Sequence, residues 1–332
     1  MVRTRLMLAV GAALVFLAAG GARAQELGAL RVATSSGTFL KIGISPRAAA
    51  MGGAWTAVAA DASAAWYNPA GLAQLPGRQV YAGYVAWPAD IHYANLIFVM
   101  PAPAVLGNVA LQLGSLSTEL EETDEYHPYG TGRHFGYSDF VLGASYARFM
   151  TDKLCLGLTL KYVREDLGSA VGGPVANNWV VDAGTLYAMG FANTRIGMSI
   201  QNFGPEFHPP GSYWNHVEEK TEEYEGFPPP STFKLGVAFE PWKHYPYILT
   251  STLEMNHLAD NQETLAGGLE LSYAGGLLCL RTGYDFMSDE MGISAGFGAT
   301  LVTGAGIAGL DYSFTDGNSL GGVHRWALRL DF

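Results

Sequence analysis

Beyond residue 77, apolar and polar residues alternate in segments of about ten residues that are separated by turn residues. Leu156, Leu158 and Leu160, for example, alternate with Gly157 and Thr159. A period of two predicts strands with one apolar and one polar face. The pattern predicts fourteen strands, at 78–86, 91–100, 107–116, 136–150, 153–166, 177–189, 193–203, 231–240, 246–256, 262–273, 276–286, 290–301, 304–315 and 322–332.

The connections between these strands alternate in length. Those after even-numbered strands are short, whereas the longest ones, 117–135 and 204–230, follow odd-numbered strands. In an antiparallel barrel every second connection lies at the same end, and outer-membrane barrels combine short periplasmic turns with long external loops. We therefore predict an all-β fold over residues 77–332, a fourteen-stranded antiparallel transmembrane β-barrel.

The last predicted strand carries a second sign of a membrane barrel. Trp326, Leu328 and Phe332 fall on one face, and Arg325 and Arg329 fall on the other. Arginine is costly on a lipid-facing surface, so these two side chains are expected to face the lumen. A terminal strand that ends on an aromatic residue is typical of outer-membrane barrels.

The first 24 residues are predicted to be a signal peptide. Arg3 and Arg5 precede an apolar run over 6–19, and an A-x-A cleavage site ends at Ala24. Export is therefore expected, followed by integral insertion into the outer membrane, with outer-membrane lipid as a partner.

Net charge and hydropathy bear on the binding partner and on how the chain crosses a membrane. Without the three arginines of the signal, 16 of the 19 basic residues remain against 30 acidic ones, which disfavours nucleic-acid binding. No apolar run after the signal reaches the roughly 18 residues that a spanning helix needs. A closed barrel is the remaining way to cross a membrane, because lipid tolerates no unpaired sheet edge.

Residues 25–76 do not follow the alternating pattern. Within them, 48–73 is rich in alanine and glycine and ends in Asn68-Pro69-Ala70-Gly71, which has turn chemistry. Small residues let backbone pack closely against backbone. We predict that 25–76 forms a plug segment, with 48–73 at the periplasmic entrance of the barrel.

Catalysis is not expected. The eight histidines are scattered, and neither a HExxH motif for metal nor a GxSxG motif for a nucleophile is present. We expect no metal and no cofactor. Cys155 and Cys279 are predicted to face the lumen, and whether they form a disulfide is left open.

The plug segment resembles the N-terminal signature of the PorV/PorQ family, within the FadL-like outer-membrane barrels. The residues that carry this resemblance are Arg47, Met51, Gly52, Gly53, Asp61, Asn68, Pro69, Ala70 and Gly71. The resemblance implies a fourteen-stranded barrel with an N-terminal plug. It also implies a role in type IX secretion, in which the barrel binds the C-terminal domains of secreted cargo. The implied partners are that cargo and the translocon and attachment subunits.

Two long loops are candidates for binding such partners, because each combines aromatic and acidic residues. The candidate aromatic residues are Tyr126, Tyr129, Tyr213, Trp214, Tyr224 and Phe227. The alternative is a solvated acidic rim without a partner. The rival function is that of a FadL-like transporter of hydrophobic small molecules, for which an apolar pocket in the lumen would be the evidence. The predicted inward positions are largely polar or glycine, which favours cargo binding over this rival.

Overall fold

The computed structural model describes residue 32 and residues 34–123, 125–215, 218–287, 292–304 and 306–332. The predicted signal peptide and the start of the predicted plug, residues 25–31, lie outside this part. We call residues 34–76 the plug.

Sixteen strands are present in the described part of the chain. They are β1 Gln79–Trp87, β2 Ile91–Ala102, β3 Gly107–Glu121, β4 His134–Phe149, β5 Leu154–Asp166, β6 Val175–Ala188, β7 Arg195–Phe203, β8 Ser212–Asn215, β9 Lys220–Glu223, β10 Thr232–His244, β11 Tyr247–Leu258, β12 Thr264–Tyr273, β13 Leu278–Asp285, β14 Ile293–Thr303, β15 Gly306–Asp316 and β16 Gly322–Asp331. Fourteen of them close into one antiparallel barrel, in which β1 pairs with β16 and β7 pairs with β10. The predicted number of barrel strands is confirmed.

Two features of the loops differ from the prediction. Strands β8 and β9 form a separate hairpin inside the predicted loop 204–230. Strands β3 and β4 continue beyond the predicted 117–135 loop boundaries, which leaves only 122–133 as their connection. Most of their added residues are polar or charged, and Leu120 and Phe135 are the exceptions, so the apolar alternation that marks a membrane strand weakens before the strands end.

The connection lengths divide the barrel into two ends. Between β10 and β11 the turn is 245–246, whereas 204–231 separates β7 from β10. We call these the short-turn end and the long-loop end, and by the usual rule they are periplasmic and external, respectively. The loops also contain three 3₁₀ turns, Pro103–Val105, Ser169–Val171 and Asn318–Leu320.

The wall has the two faces that the alternation predicts. Leu158 is 57% exposed on the outside, whereas Thr159 and Lys161 are buried on the inside. Arg325 also faces inward and is only 4% exposed. Among the described residues, no helix has both the length and the apolar character needed to cross a membrane.

The barrel closes where its first and last strands meet. β1 and β16 pair in register from Gln79 opposite Asp331 to Ala86 opposite His324. Beyond the strands, Arg78 and Phe332 exchange backbone hydrogen bonds, N to O at 3.1 and 3.0 Å. The predicted terminal strand is therefore one side of the closing pair.

Short helical turns form the plug. They are a 3₁₀ helix Thr38–Lys41, α1 Pro46–Ala50, α2 Ala64–Tyr67 and a 3₁₀ helix Pro69–Gln74. Pro46 and Pro69 each stand at a helix start, where a missing N–H costs nothing and the fixed φ already suits the helix. These turns explain why the segment shows no strand periodicity.

Candidate functional site

The plug runs along the whole lumen. Near the short-turn end, the Asn108 amide donates to the carbonyls of Leu72 and Leu75 at 2.6 and 2.9 Å. At the long-loop end, the backbone N–H of Ser36 donates to Pro228 O at 3.0 Å, and Gly37 N–H donates to Glu165 Oε1 at 3.0 Å. The small-residue segment 48–73 therefore occupies the middle as well as the entrance, because the chain before it continues to the far end.

The Asn-Pro-Ala-Gly motif fixes the plug to itself and to the wall. Asn68 Oδ1 accepts from Ala70 N–H at 3.2 Å, which caps the helix that begins at Pro69. Its Nδ2 donates to Thr56 O at 2.8 Å and to Thr185 O on β6 at 3.0 Å. A Cβ at Gly71 would lie 2.1 Å from Ala59 O, so this position requires glycine.

Met51, Gly52 and Gly53 form a turn in the centre of the lumen. Gly52 and Gly53 have φ of 68° and 89°, which glycine adopts at little cost. A Cβ at Gly52 would lie 2.7 Å from Tyr284 N on β13. The motif therefore brings plug backbone directly against barrel backbone.

Glycines of the wall make the matching surface. A Cβ at Gly283 would lie 2.1 Å from Gly52 N, one at Gly157 2.3 Å from Ala70 N, and one at Gly184 2.0 Å from Asn68 Oδ1. Sequence reasoning missed these residues, although inward glycines facing a small-residue segment were the available signal. Because these glycines have no side chain, the plug lies directly against the backbone of several strands.

A buried chain of charges also joins plug to wall. Arg47 Nη1 lies 2.7 Å from Asp61 Oδ2 and Nη2 lies 3.5 Å from Glu270 Oε2. Arg281 then contacts Glu270 at 2.5 Å and Asp311 at 2.7 Å. The structure thus places Arg47 and Asp61 together within the plug and adds three wall residues, on β12, β13 and β15. Arg47 also lies over the Trp55 ring, 4.9 Å from its centroid.

Further polar contacts hold the outer part of the plug. Lys41 Nζ lies 2.7 Å from Asp260 Oδ2 in the β11–β12 loop. Burial favours the neutral acid, but the hydrogen bonds from Lys41 and Ser35 hold the pKa of Asp260 below its usual value. Glu254 Oε2 accepts from Thr56 N–H at 2.7 Å.

A cavity of about 350 Å³ lies between the plug and the long-loop half of the wall. We call it the outer cavity. Its apolar and aromatic lining includes Leu40, Trp66, Tyr67, Trp87 and Leu258. Its polar lining includes Lys41, Asn202, Lys234, Asn256, Ser294 and Arg325. The lining of this cavity therefore adds aromatic and apolar side chains to the polar residues and glycines that were predicted to face inward.

A second cavity, of about 190 Å³, lies toward the short-turn end. We call it the inner cavity, and Met51, Trp55, Arg195, Glu240 and Glu270 are among its lining residues. Gly52 and Gly53 line the outer cavity, while the adjacent Met51 lines the inner one. The glycine turn of the plug therefore separates the two cavities.

The aromatic residues of the long loops are exposed to different degrees. Tyr126 and Tyr129 in the 122–133 connection are 82% and 99% exposed. On the hairpin, Tyr213 stacks on Tyr224 with centroids 5.6 Å apart, and Trp214 is 52% exposed.

Phe227 lies at the base of this loop. Its backbone pairs with Phe207 in an isolated bridge. The Phe207 side chain is buried. Its ring packs so close to Gly37 of the plug that a Cβ added at Gly37 would lie 3.0 Å from it. The base of the loop thus covers the outer end of the plug, which sequence reasoning did not predict.

The cysteines and the metal-binding residue types add no candidate site within the described part of the chain. Cys155 and Cys279 are buried, free thiols. Within the described residues, no three His, Cys, Asp or Glu side chains are grouped so that they could hold a metal ion.

No protein-family model and no curated protein matches this sequence. Solved structures do match. The toluene transporter TbuX of Ralstonia pickettii has a TM-score of 0.56 at 14% identity, over 87% of this chain and 98% of its own. The monoaromatic hydrocarbon channel CymD has a TM-score of 0.55 at 13% identity, over 87% of this chain and 98% of its own. A FadL homologue of Pseudomonas aeruginosa has a TM-score of 0.53 at 12% identity, over 88% of this chain and 99% of its own.

At these identities the likeness shows the fold. The chain has a FadL-like fourteen-stranded barrel and is an integral protein of the outer membrane, as predicted. Two of these neighbours are a transporter and a channel and the third is a FadL homologue, so they agree with the alternative function, the FadL-like transporter, better than with cargo binding. The resemblance to PorV/PorQ finds support at the level of the FadL-like barrels.

Proposed function

We propose that this protein is an outer-membrane channel that admits small molecules with an apolar body. The observation that carries the proposal is the outer cavity, where the aromatic side chains of Trp66, Tyr67 and Trp87 lie among polar ones. Ligand pockets combine aromatic side chains with placed polar groups, and the volume lies at the small end of their range.

The two cavities outline a path for such a molecule. It would enter the outer cavity between the external loops and reach the glycine turn of the plug at residues 51–53. Beyond that turn lies the inner cavity, lined by β10, β11 and β12 near the short-turn end. Passage would require that turn to move by a small amount while the rest of the plug stays bound.

Uptake of radiolabelled toluene tests this proposal, in cells that lack their own hydrocarbon channel and express this chain. Expression should raise the uptake rate above that of cells with an empty vector. Ser294→Trp should return uptake to background, because Ser294 is a buried residue that lines the outer cavity.

Ser115→Trp is the matched control, since Ser115 is exposed on the outside of β3. Heat-modifiable gel mobility would show that both variants form barrels. Wild-type uptake no higher than that of the empty vector would refute the channel, as would full uptake by a folded Ser294→Trp barrel.

Cargo binding of the PorV/PorQ type is our second candidate. The exposed aromatic hairpin favours it, because stacked tyrosines beside a half-exposed tryptophan make a rigid anchor for a partner. The partners proposed are C-terminal domains of secreted cargo, with the type IX translocon and attachment subunits.

A pull-down of purified cargo C-terminal domains by the intact barrel tests this candidate. Trp214→Ala combined with Tyr224→Ala should abolish retention, and Tyr126→Ala with Tyr129→Ala tests the other loop. Tyr245→Ala is the control, since Tyr245 is 83% exposed at the short-turn end. Retention by the wild type that none of these changes reduces would exclude the loops as the binding surface.

A further inference from the structure

The outer cavity contains a buried arginine that has no acidic partner among the residues that the structure describes. Arg325 is 4% exposed, and among the described residues no carboxylate oxygen lies within 4.0 Å of its guanidinium. The other inward arginine of β16, Arg329, lies 3.4 Å from Asp331. A buried charge is costly unless it is paired, so Arg325 is the exception that needs an explanation.

The contacts of Arg325 orient it without neutralising it. Nε donates to Gly43 O at 2.9 Å, and Nη1 donates to Thr315 Oγ1 at 3.0 Å. The guanidinium lies 5.6 Å from the centroid of the Trp87 ring. Neutral acceptors thus use two of its nitrogens, while Nη2 makes no hydrogen bond to the described residues. A planar guanidinium held in this way is prepared to bind an oxyanion.

Among the positively charged side chains of this cavity, Arg325 differs from the two lysines in its pairing. Lys41 and Lys234 line the same cavity, as does one acidic residue, Asp285. Lys41 is paired with Asp260, and Lys234 lies 3.9 Å from Glu254. Both lysines therefore have acidic partners, whereas no described carboxylate, that of Asp285 included, lies within 4.0 Å of the Arg325 guanidinium.

We propose that the outer cavity binds a small organic anion, in which a carboxylate on an apolar ring or short chain pairs with Arg325. This deepens the proposed channel function and rests on it. Trp66, Tyr67 and Leu40 offer the apolar part a surface, and a cavity of about 350 Å³ suits a molecule of one or two rings. The proposal separates this chain from TbuX, a toluene transporter, and CymD, a monoaromatic hydrocarbon channel, since those hydrocarbons are neutral.

Binding of a matched pair of probes tests the assignment. 2-Naphthoate and 2-naphthamide have the same rings and nearly the same size, but only the first is charged at pH 7. The purified full chain in detergent should bind the naphthoate at least about tenfold more tightly, the effect of one hydrogen-bonded charge pair. Calorimetry measures both dissociation constants.

Three variants locate the charge. Arg325→Met should reduce the preference to about onefold by weakening naphthoate binding alone. Arg325→Lys should keep part of the preference, since it retains the charge without the planar fork. Arg329→Met should keep all of it, because that arginine has its own partner in Asp331.

Equal binding of the two probes by the wild type would overturn the proposal, and so would a preference that survives Arg325→Met. Either result leaves the toluene-uptake test of the channel unaffected. Conversely, a charge preference without toluene uptake would support the anion site and refute passage of neutral hydrocarbons.

Discussion

The two halves of the lumen are built differently. Toward the short-turn end and the centre, plug and wall meet through glycine backbones, and Arg47, Glu270, Arg281 and Asp311 form a chain of alternating charges. Toward the long-loop end a cavity remains, and Arg325 there has no acidic partner in the described part of the chain. The first arrangement is complete without a ligand and serves to hold the plug. The second leaves a charge and a volume unfilled, which is what a binding site requires.

Loss of one member of the charge chain should have the largest effect. Arg281→Met leaves Glu270 and Asp311 without that cation in the interior, so we expect the free energy of unfolding to fall by about 4 kcal/mol. Urea titration of the barrel in detergent, read by heat-modifiable mobility, measures the change. Arg164→Met is the control, because Arg164 is half-exposed and 4.0 Å from Asp166. Equal loss in both variants would show that the buried chain has no special role.

A side chain at the glycine contact should have the next largest effect. In Gly283→Val the new Cβ would lie 2.1 Å from Gly52 N, and backbone cannot move aside without displacing the plug. We expect destabilisation of about 3 kcal/mol and increased ion conductance in planar bilayers.

Gly136→Val controls for the loss of a strand glycine, since a Cβ there meets nothing within 4 Å. A Gly283→Val barrel with unchanged stability and conductance would contradict close seating of the plug.

Removing the Arg325 guanidinium should change the free energy of unfolding in the opposite direction from removing that of Arg281. Arg325→Met exchanges a buried guanidinium, which no described carboxylate pairs with, for an apolar side chain of similar length. We expect the free energy of unfolding to stay equal or rise by about 1 kcal/mol. The same urea titration measures it. Destabilisation as large as that of Arg281→Met would mean that the two halves do not differ in this respect.

The smallest effect should be the pH dependence of the outermost contact. Because the pKa of Asp260 is lowered in the folded protein, its pairing with Lys41 stabilises the fold above the ordinary aspartate pKa of about 3.8. That contribution should be lost as the pH falls below about 4 through the lowered pKa. Hydrogen exchange of residues 34–41 should then rise in the wild type but change less in Lys41→Met. Identical pH profiles for the two proteins would exclude this contact.

The wall was predictable from sequence because its rule is local. Each strand needs alternation, and one face must satisfy lipid, so strand number, parity and the inward direction of Arg325 all follow from neighbouring residues. The plug was recognisable because residues 48–73 break that rule. The hairpin was missed, since Lys220–Glu223 contains no apolar residue that could alternate.

The contacts that form the site could not be predicted from local sequence patterns, because they join residues far apart in the chain. Arg47 and Glu270 are separated by 223 positions, and nothing in either neighbourhood encodes their contact. The outer cavity likewise depends on how far the plug rises in the lumen, which is set by contacts of residues 36–43 with two separate loops and two strands. Such distances in the chain explain why the predicted plug position stopped at the entrance.

The path of the plug bears on how the molecule is assembled. The plug precedes β1, reaches the opposite end of the lumen, and lies inside a ring that is completed only when β1 pairs with β16. A segment in backbone contact with several strands is easiest to place before the ring closes. We therefore expect the plug to act as an internal template around which the sheet curls, so that the last backbone bonds, between Arg78 and Phe332, enclose a core that is already in place.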